Sequence, residues 1–262
     1  MRTLRNANNG FTLVELLIAM VIGIMVLAGI YAAFNSQQKS HVKEQQVVDA
    51  QQNVRGAAHF MAGEIRLAGM DEKGTAGAGF LIAGPHAIQF TMDRNDDEDV
   101  ADTDENIAYG FSAAADADFD GRADAGAAPI ARFASSDDEI AEDIHAVAFA
   151  YAFDDDGDGE LDFADAPPLN GLLDAGEETW AYDLDGDGLL DTNNDGSGPL
   201  AVPVSLAKIR AVRIWLLART RSPLRGYAGP KSYSVGDKTV HVSDSYQYRL
   251  LTTTVKCRNM GL

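Results

Sequence analysis

Residues 11–34 (FTLVELLIAMVIGIMVLAGIYAAF) form an apolar run that contains a single ionisable residue, Glu15. About 20 apolar residues suffice for a helix to cross a bilayer. A carboxylate in hydrocarbon costs roughly 2.5–3.5 kcal/mol on insertion scales, so Glu15 needs a partner or a function there. We therefore predict a membrane-spanning helix over residues 11–34 in which Glu15 has a specific role.

The segment before this run, residues 1–10 (MRTLRNANNG), is basic and polar. An ordinary secretory signal is cleaved after its apolar stretch, next to small residues. No A-x-A-like site follows the run here, so cleavage would have to precede the helix and retain it. The alternative is an uncleaved anchor in which Glu15 lies near the membrane interface without a role.

The sequence G-F-T-L-V-E, residues 10–15, resembles the class III leader of type IV pilins and type II secretion pseudopilins. The resemblance implies that residues 1–10 are a leader peptide, which prepilin peptidase removes after Gly10. It implies further that the new terminus at Phe11 is N-methylated and that Glu15 faces the terminal amine of a neighbouring subunit. The precursor is then expected to be a single-pass inner-membrane protein.

Beyond residue 34 the chain becomes polar, but apolar residues recur at spacings of three and four up to residue 68. This periodicity predicts that an amphipathic helix continues over residues 35–69, with Gly69 suited to its C-terminal cap. Residues 51–70 (QQNVRGAAHFMAGEIRLAGM) resemble the end of the long first helix of PilW-family minor pilins and the related pseudopilin J. The predicted buried stripe consists of Val47, Ala50, Val54, Ala57, Met61, Ile65 and Ala68.

Four later stretches have the alternating pattern of strands, namely residues 88–92, 144–153, 209–220 and 246–256. We predict an α+β fold in which residues 70–262 form a β-rich periplasmic or extracellular body, with an antiparallel sheet packed on the second half of the helix. The resemblance implies a type IV pilin-like fold, and the D-x-D-x-D-G spacing of the acidic segments predicts calcium-binding loops inserted between the strands.

Acidic residues are concentrated in residues 93–198, which hold 32 Asp and Glu against three Arg, in a chain of formal net charge -19. Such a segment repels phosphate backbones and anionic lipids and attracts divalent cations or basic partners. Direct binding of nucleic acid is therefore not expected. Cys257 is the single cysteine, so no disulfide within the chain is possible.

Two segments, residues 154–165 and 183–194, have the D-x-D-x-D-G spacing of calcium loops, in which positions 1, 3, 5, 7, 9 and 12 supply ligands. Position 7 contributes its backbone carbonyl. Calcium suits such a set because it is a hard cation that prefers oxygen ligands. The predicted ligands are Asp154, Asp156, Asp158, Glu160, Asp162 and Asp165 in the first loop, and Asp183, Asp185, Asp187, Leu189, Asp191 and Asn194 in the second.

A weaker copy covers residues 116–127, with Asp116, Asp118, Asp120 and Asp124 as candidate ligands and Ala127 at position 12. None of the three loops ends in the bidentate Glu of an EF-hand, which predicts affinities in the extracellular range of about 10⁻⁴–10⁻³ M. The alternative is a solvated acidic linker without metal. Residues 93–105 fit that alternative better, because no glycine stands at the turn, and we predict no site there.

The sequence has no H-E-x-x-H, Walker or G-x-S-x-G motif, so we predict a protein that is not an enzyme. The resemblance implies a minor pilin that takes part in assembly and priming at or near the tip of a type IV pilus and reaches the cell surface. Its partners would be other major and minor pilins, prepilin peptidase and the inner-membrane assembly platform. A type II secretion pseudopilin J and a membrane-tethered calcium-dependent adhesin or envelope enzyme stay open as alternatives.

Overall fold

A computed structural model describes residues 11–102, 104–134, 137–157, 161, 180–224 and 229–261. Its one long helix, α1, runs from Leu13 to Ile65 over 53 residues. Among the described residues, α1 is the helix that is long and apolar enough to cross a membrane. The chain divides into two compact units. The first unit ends at Gln46, and the second begins at Val47.

The end of α1 depends on a glycine. Regular helix stops at Ile65, and residues 66–69 form turns that end at Gly69, whose φ of +75° lies in the left-handed region. A Cβ at this position would lie 2.4 Å from Met260 Sδ. The Gly69 N–H donates a hydrogen bond to the carbonyl of Thr91 (3.0 Å), which joins the end of the helix to the following sheet. Glycine is needed here both for its conformation and for its lack of a side chain.

Twelve strands are found in the described residues. They are β1 (Phe80–Ala83), β2 (Ile88–Thr91), β3 (Asn106–Gly110), β4 (Ala128–Phe133), β5 (Asp137–Phe153), β6 (Ala181–Tyr182), β7 (Leu189–Asn193), β8 (Pro199–Ser205), β9 (Ile209–Arg219), β10 (Lys231–Val235), β11 (Lys238–Val242) and β12 (Tyr248–Lys256). A short 3-10 helix, Leu206–Lys208, joins β8 to β9.

Ten of these strands form one antiparallel sheet around β5, the longest strand. One edge of β5 pairs first with β4 and then with β6, and its other edge pairs with β9. The sheet continues from β4 through β3 and β2 to β1, and from β6 through β7 to β8, while β12 lies outside β9. The remaining two strands, β10 and β11, form a separate hairpin.

Alternation along β5 gives the sheet two different faces. Val147, Phe149, Tyr151 and Phe153 join one hydrophobic core with the buried stripe of the helix between Val54 and Ile65. The intervening alanines at positions 146, 148, 150 and 152 join a second core with the β10–β11 hairpin. The small side chains suit a close approach, since a Cβ on Gly236 in the hairpin turn would lie 2.7 Å from the Cβ of Ala148.

The predicted architecture, a long apolar N-terminal helix followed by an antiparallel sheet packed on its second half, is confirmed. The predicted helical stripe is buried from Ala50 onward, whereas Val47 is half-buried. The four predicted strands correspond to β2, β5, β9 and β12. Predicted features that lie outside the described residues are the leader with Gly10, and Asp158, Glu160, Asp162 and Asp165 of the first loop.

Candidate assembly helix and acidic loops

The start of α1 is a reciprocal capping arrangement between Thr12 and Glu15. The backbone N–H and the hydroxyl of Thr12 donate to Glu15 Oε2 (2.9 and 3.0 Å), and the Glu15 N–H donates to Thr12 Oγ1 (3.2 Å). This is the capping box of the T-x-x-E pattern, which satisfies helix N–H groups that lack intrahelical partners. The T-x-x-E spacing of residues 12–15 is visible in the sequence and was not among the predicted features.

The apolar part of α1 is exposed along its whole length. Phe11 is 91% exposed, and the large apolar side chains from Leu13 to Phe34 are all more than half exposed. An exposed apolar surface of this extent marks an interaction with membrane or protein. The helix therefore carries a surface that its own chain, in the part that the structure describes, leaves uncovered.

The second predicted calcium loop is organised around Asp183, which is 5% exposed. Its two carboxylate oxygens accept hydrogen bonds from the N–H groups of Gly186 (2.7 Å) and Gly188 (2.9 Å). One carboxylate oxygen each of Asp183, Asp185 and Asp187 lies within 4.8 Å of the others. Three carboxylates at this spacing repel one another and suit a divalent cation.

Of the two further side-chain ligands predicted in the second loop, Asp191 has hydrogen-bond partners among the described residues, whereas the buried Oδ1 of Asn194 has none. Asp191, at position 9, accepts hydrogen bonds through Oδ1 from the Leu184 N–H (3.3 Å) and from the Thr192 hydroxyl (2.8 Å). Asn194 donates its N–H to the carbonyl of Trp180. Leu189 begins β7 at position 7. The structure thus brings Asp183, Asp185 and Asp187 together and folds Asp191 back onto the loop.

The third loop has the same organisation, although its sequence match is weaker. Asp116 is 3% exposed and accepts hydrogen bonds from the N–H groups of Asp120 (3.1 Å) and Gly121 (2.9 Å). Asp116, Asp118 and Asp120 form an acidic group of the same dimensions. Asp124, at position 9, accepts from the Ala117 N–H (3.0 Å). Burial raises the pKa of Asp116, and the neighbouring Asp118 and Asp120 add to the rise.

The described part of the first loop contains Asp154 and Asp156. Asp154 is 1% exposed and accepts a hydrogen bond from the Gly157 N–H (2.7 Å). Its other oxygen, Oδ2, lies 3.7 Å from Arg210 Nε in a buried ion pair. A protein cation therefore already faces this first-position carboxylate.

Residues 93–105, for which we predicted no site, form an acidic group after all. Asp97, Asp99 and Glu105 each offer a ligand oxygen within 4.8 Å of the others. The turn that seemed to need glycine is made by Asp96 and Glu98, with φ of +62° and +77°. The turn therefore forms without glycine, because acidic residues here adopt the left-handed conformation themselves.

The polar side of the helix carries a largely buried ion pair between Glu64 and Arg132. Arg132 in β4 donates to Glu64 through Nε (3.0 Å to Oε2) and to Asp104 through Nη2 (2.9 Å). The Tyr109 hydroxyl also donates to Glu64. These contacts raise the pKa of Arg132, while burial and Glu64 raise that of Tyr109.

The cysteine and His145 are buried, and His86 is half-buried. Cys257 is fully buried, and burial raises the pKa of its thiol to about 12, which fits a packing role better than a reactive thiolate. His145 is 5% exposed, its Nδ1 lies 2.5 Å from the carbonyl of Gly126, and burial lowers its pKa. Burial and the nearby ammonium of Lys238 lower the pKa of His86 as well.

Comparison with known proteins adds sequence matches at both ends of the chain. The family model of type IV pilus-assembly protein W (PilW) matches residues 122–259, more than half of the chain. The prokaryotic N-terminal methylation motif matches residues 5–31. Among solved structures, the chain is similar to a type IV-like pilin, TTHA1219 from Thermus thermophilus, at 15% identity and a TM-score of 0.44, over 81% of this chain and 98% of that one. No curated protein matches.

Proposed function

The chain belongs to the type IV pilus-assembly protein W family, and from this we propose that it is a non-catalytic minor pilin that takes part in assembly and priming at or near the tip of a type IV pilus. The observation that carries the proposal is the exposed apolar surface of residues 11–34. Burying a large apolar side chain contributes about 1.5–3 kcal/mol, so this surface favours the bilayer first and a bundle of neighbouring pilin helices afterwards.

Glu15 has an assembly role in this proposal. A carboxylate can accept about four hydrogen bonds, and the two from Thr12 both reach Oε2. Oε1 is then available to the amine at Phe11 of a neighbouring subunit, once prepilin peptidase has cut after Gly10. The charge pair offsets the cost of carrying a carboxylate through hydrocarbon. The capping box supports this role because it fixes the direction of the side chain before a partner arrives.

We propose that calcium stabilises the body of the pilin after it has left the cytoplasm. The second loop, with Asp183, Asp185 and Asp187 within ligand distance of one cation, is the strongest support. The group around Asp116 is the next. Loops that connect strands can bind calcium as structural links, and weak affinity is sufficient where calcium is millimolar.

The test is to identify the amino terminus of this subunit in sheared filaments by mass spectrometry. We expect a chain that starts at an N-methylated Phe11. Glu15→Gln should leave cleavage intact but strongly reduce the amount of the subunit in the sheared fraction. Glu44→Gln, an exposed position farther along α1, is the matched control and should be incorporated normally. A filament subunit that retains residues 1–10, or normal incorporation of Glu15→Gln, would contradict the proposal.

The same preparation separates the pilus from the alternatives. Co-purification with major and minor pilins supports the proposed role, whereas co-purification with secretion pseudopilins points to a pseudopilus. A protein found only in the membrane fraction would favour a tethered adhesin or enzyme.

A further inference from the structure

We infer that Asp97, Asp99 and Glu105 form an additional divalent cation site, in which their carboxylate oxygens are the ligands and calcium is the cation of best fit. The site is separate from the three loops with the D-x-D-x-D-G spacing. It rests on the described geometry of this segment and holds whether or not the chain acts as a pilin.

The primary observation is the state of Glu105. This residue is 1% exposed, and its Oε1 accepts a hydrogen bond from the Arg94 N–H (2.8 Å). Its Oε2 is buried and has no hydrogen-bond partner among the described residues. A buried carboxylate oxygen without a partner is strongly unfavourable. Because the same carboxylate belongs to the group with Asp97 and Asp99, a cation bound between them would satisfy it.

The backbone around this group repeats the organisation of the loop that begins at Asp183. Asp93 is 3% exposed and accepts hydrogen bonds from the N–H groups of Asp96 (2.6 Å) and Glu98 (3.1 Å), three and five residues later. Asp183 accepts from the residues at the same two offsets. The first carboxylate of the loop thus orients the backbone in both cases, which turns the later carboxylates toward a common point.

The hydrogen bond made by the residue at position 2 of the loop shows which ligand position Glu105 occupies. In the loop that begins at Asp183, the N–H of the second residue donates to the carboxylate of the ninth residue, Asp191. The ninth residue of this segment is Ala101, which has no ligand atom in its side chain. The N–H of the second residue, Arg94, donates to Glu105 instead. Glu105 therefore takes the place of the missing ninth-position carboxylate from four residues farther along.

Two cationic side chains near the segment are directed to other carboxylates. Lys73 Nζ lies 3.4 Å from Asp96 and 3.3 Å from Glu98, neither of which belongs to the group. Arg132 pairs with Asp104. The three carboxylates of the group thus lie close together without an ion-pair partner among the described residues. This arrangement favours a small divalent ion with oxygen ligands over a basic peptide.

The test counts bound Ca²⁺ per chain by equilibrium dialysis on the full chain in detergent, after treatment with chelator, up to about 10 mM Ca²⁺, tenfold above the weak end of the expected range. Glu105→Gln keeps an acceptor for the Arg94 N–H but removes the charge. We expect it to bind one Ca²⁺ fewer than the parent chain. Glu139→Gln, an exposed position in β5, is the matched control and should bind the parental number.

A second variant keeps the test decisive if Glu105→Gln folds poorly. Asp99 is exposed, so Asp99→Asn should fold and should also lose one Ca²⁺. The double variant Asp99→Asn/Glu105→Gln should lose only one, since both residues serve one site. Asp185→Asn should lose a different Ca²⁺ ion, so its loss should add to that of Asp99→Asn or Glu105→Gln when the substitutions are combined. Parental stoichiometry in both Asp99→Asn and Glu105→Gln overturns the inference, even where Asp185→Asn loses its ion.

The unfolding temperature provides an independent readout. In chelator, the unfolding temperature of Glu105→Gln should equal or exceed that of the parent chain, because the substitution removes an unpaired buried charge. In calcium the order should reverse, because the variant has lost a ligand. A variant that is less stable than the parent by the same margin in both conditions would indicate a structural role for Glu105 and would overturn the inference.

Discussion

Arg132 Nε lies 3.0 Å from Glu64 Oε2, with only 8% and 19% of the two side chains exposed, so this ion pair joins the end of α1 to strand β4 in a largely dry environment. The same guanidinium reaches Asp104 at the end of the 93–105 segment. One arginine therefore connects the helix, the sheet and an acidic loop.

Replacement of Arg132 by Met should destabilise the protein strongly. Removal of one partner of a buried pair costs about 3–5 kcal/mol. We expect the lower end, about 3 kcal/mol, because Glu64 keeps the hydrogen bond from Tyr109. Denaturant unfolding of the full chain in detergent measures the loss. The control is Arg221→Met, which removes the ion pair between Arg221 and Glu142. These side chains are 72% and 62% exposed, so the substitution should cost about 1 kcal/mol or less. Equal losses in the two variants would contradict the assigned role.

Alanine at Gly69 and alanine at Gly63 should have opposite effects. Gly69 has a positive φ and faces Met260 at short range, so Gly69→Ala should cost about 1–2 kcal/mol from backbone strain alone. Gly63 lies within α1, and a Cβ added there would meet nothing within 4 Å, so Gly63→Ala should stabilise by about 0.5–1 kcal/mol. Thermal unfolding of both variants provides the comparison, and the same sign in both would refute this account.

Removal of calcium should lower the unfolding temperature. A site with a dissociation constant of about 1 mM contributes about 1.4 kcal/mol at about 10 mM calcium, and this contribution disappears in chelator. Asp185→Asn should reduce the difference between the two conditions, because it removes a member of the acidic group in the second loop. Asp49→Asn, on the exposed side of α1, makes the same charge change and should leave the difference intact.

Stability in chelator should fall as the pH is lowered from about 7 to about 5.5, on either side of the usual histidine pKa. Burial lowers the pKa of His145, so in this window the unfolded chain takes up a proton that the native chain resists. The slope for one such group is at most about 1.4 kcal/mol per pH unit. His145→Gln should flatten the dependence, whereas His41→Gln, on an exposed part of α1, should preserve it. His86 contributes in the same direction.

The elements predicted from the sequence are those with long, regular patterns. The helix and the strands β2, β5, β9 and β12 carry enough apolar residues at one period to identify them. The first half of β5, Asp137 to Asp143, was not predicted, because its sequence DDEIAED has no apolar alternation. It becomes a strand through pairing with β4. Short strands such as β1 and β6 likewise depend on their neighbours.

The acidic loops show the same limit. The positions of Asp183 and Asp116 follow from local spacing, and in each loop the structure groups three of the predicted carboxylates. The role of Glu105 depends on a hydrogen bond to Arg94 across eleven residues, which no loop pattern specifies. The pairing of Glu64 with Arg132 spans 68 residues and is likewise a property of the folded chain.

The difference between the two faces of β5 also determines the register in which this strand pairs. A slip of one residue would turn Phe149 and Tyr151 toward the hairpin and bring alanine methyl groups to the helix side. The hairpin would then collide with aromatic rings, while the helix would face empty space. Strict alternation of alanine with large side chains therefore penalises misregistered strands twice, and it directs folding of the longest strand to a single alignment.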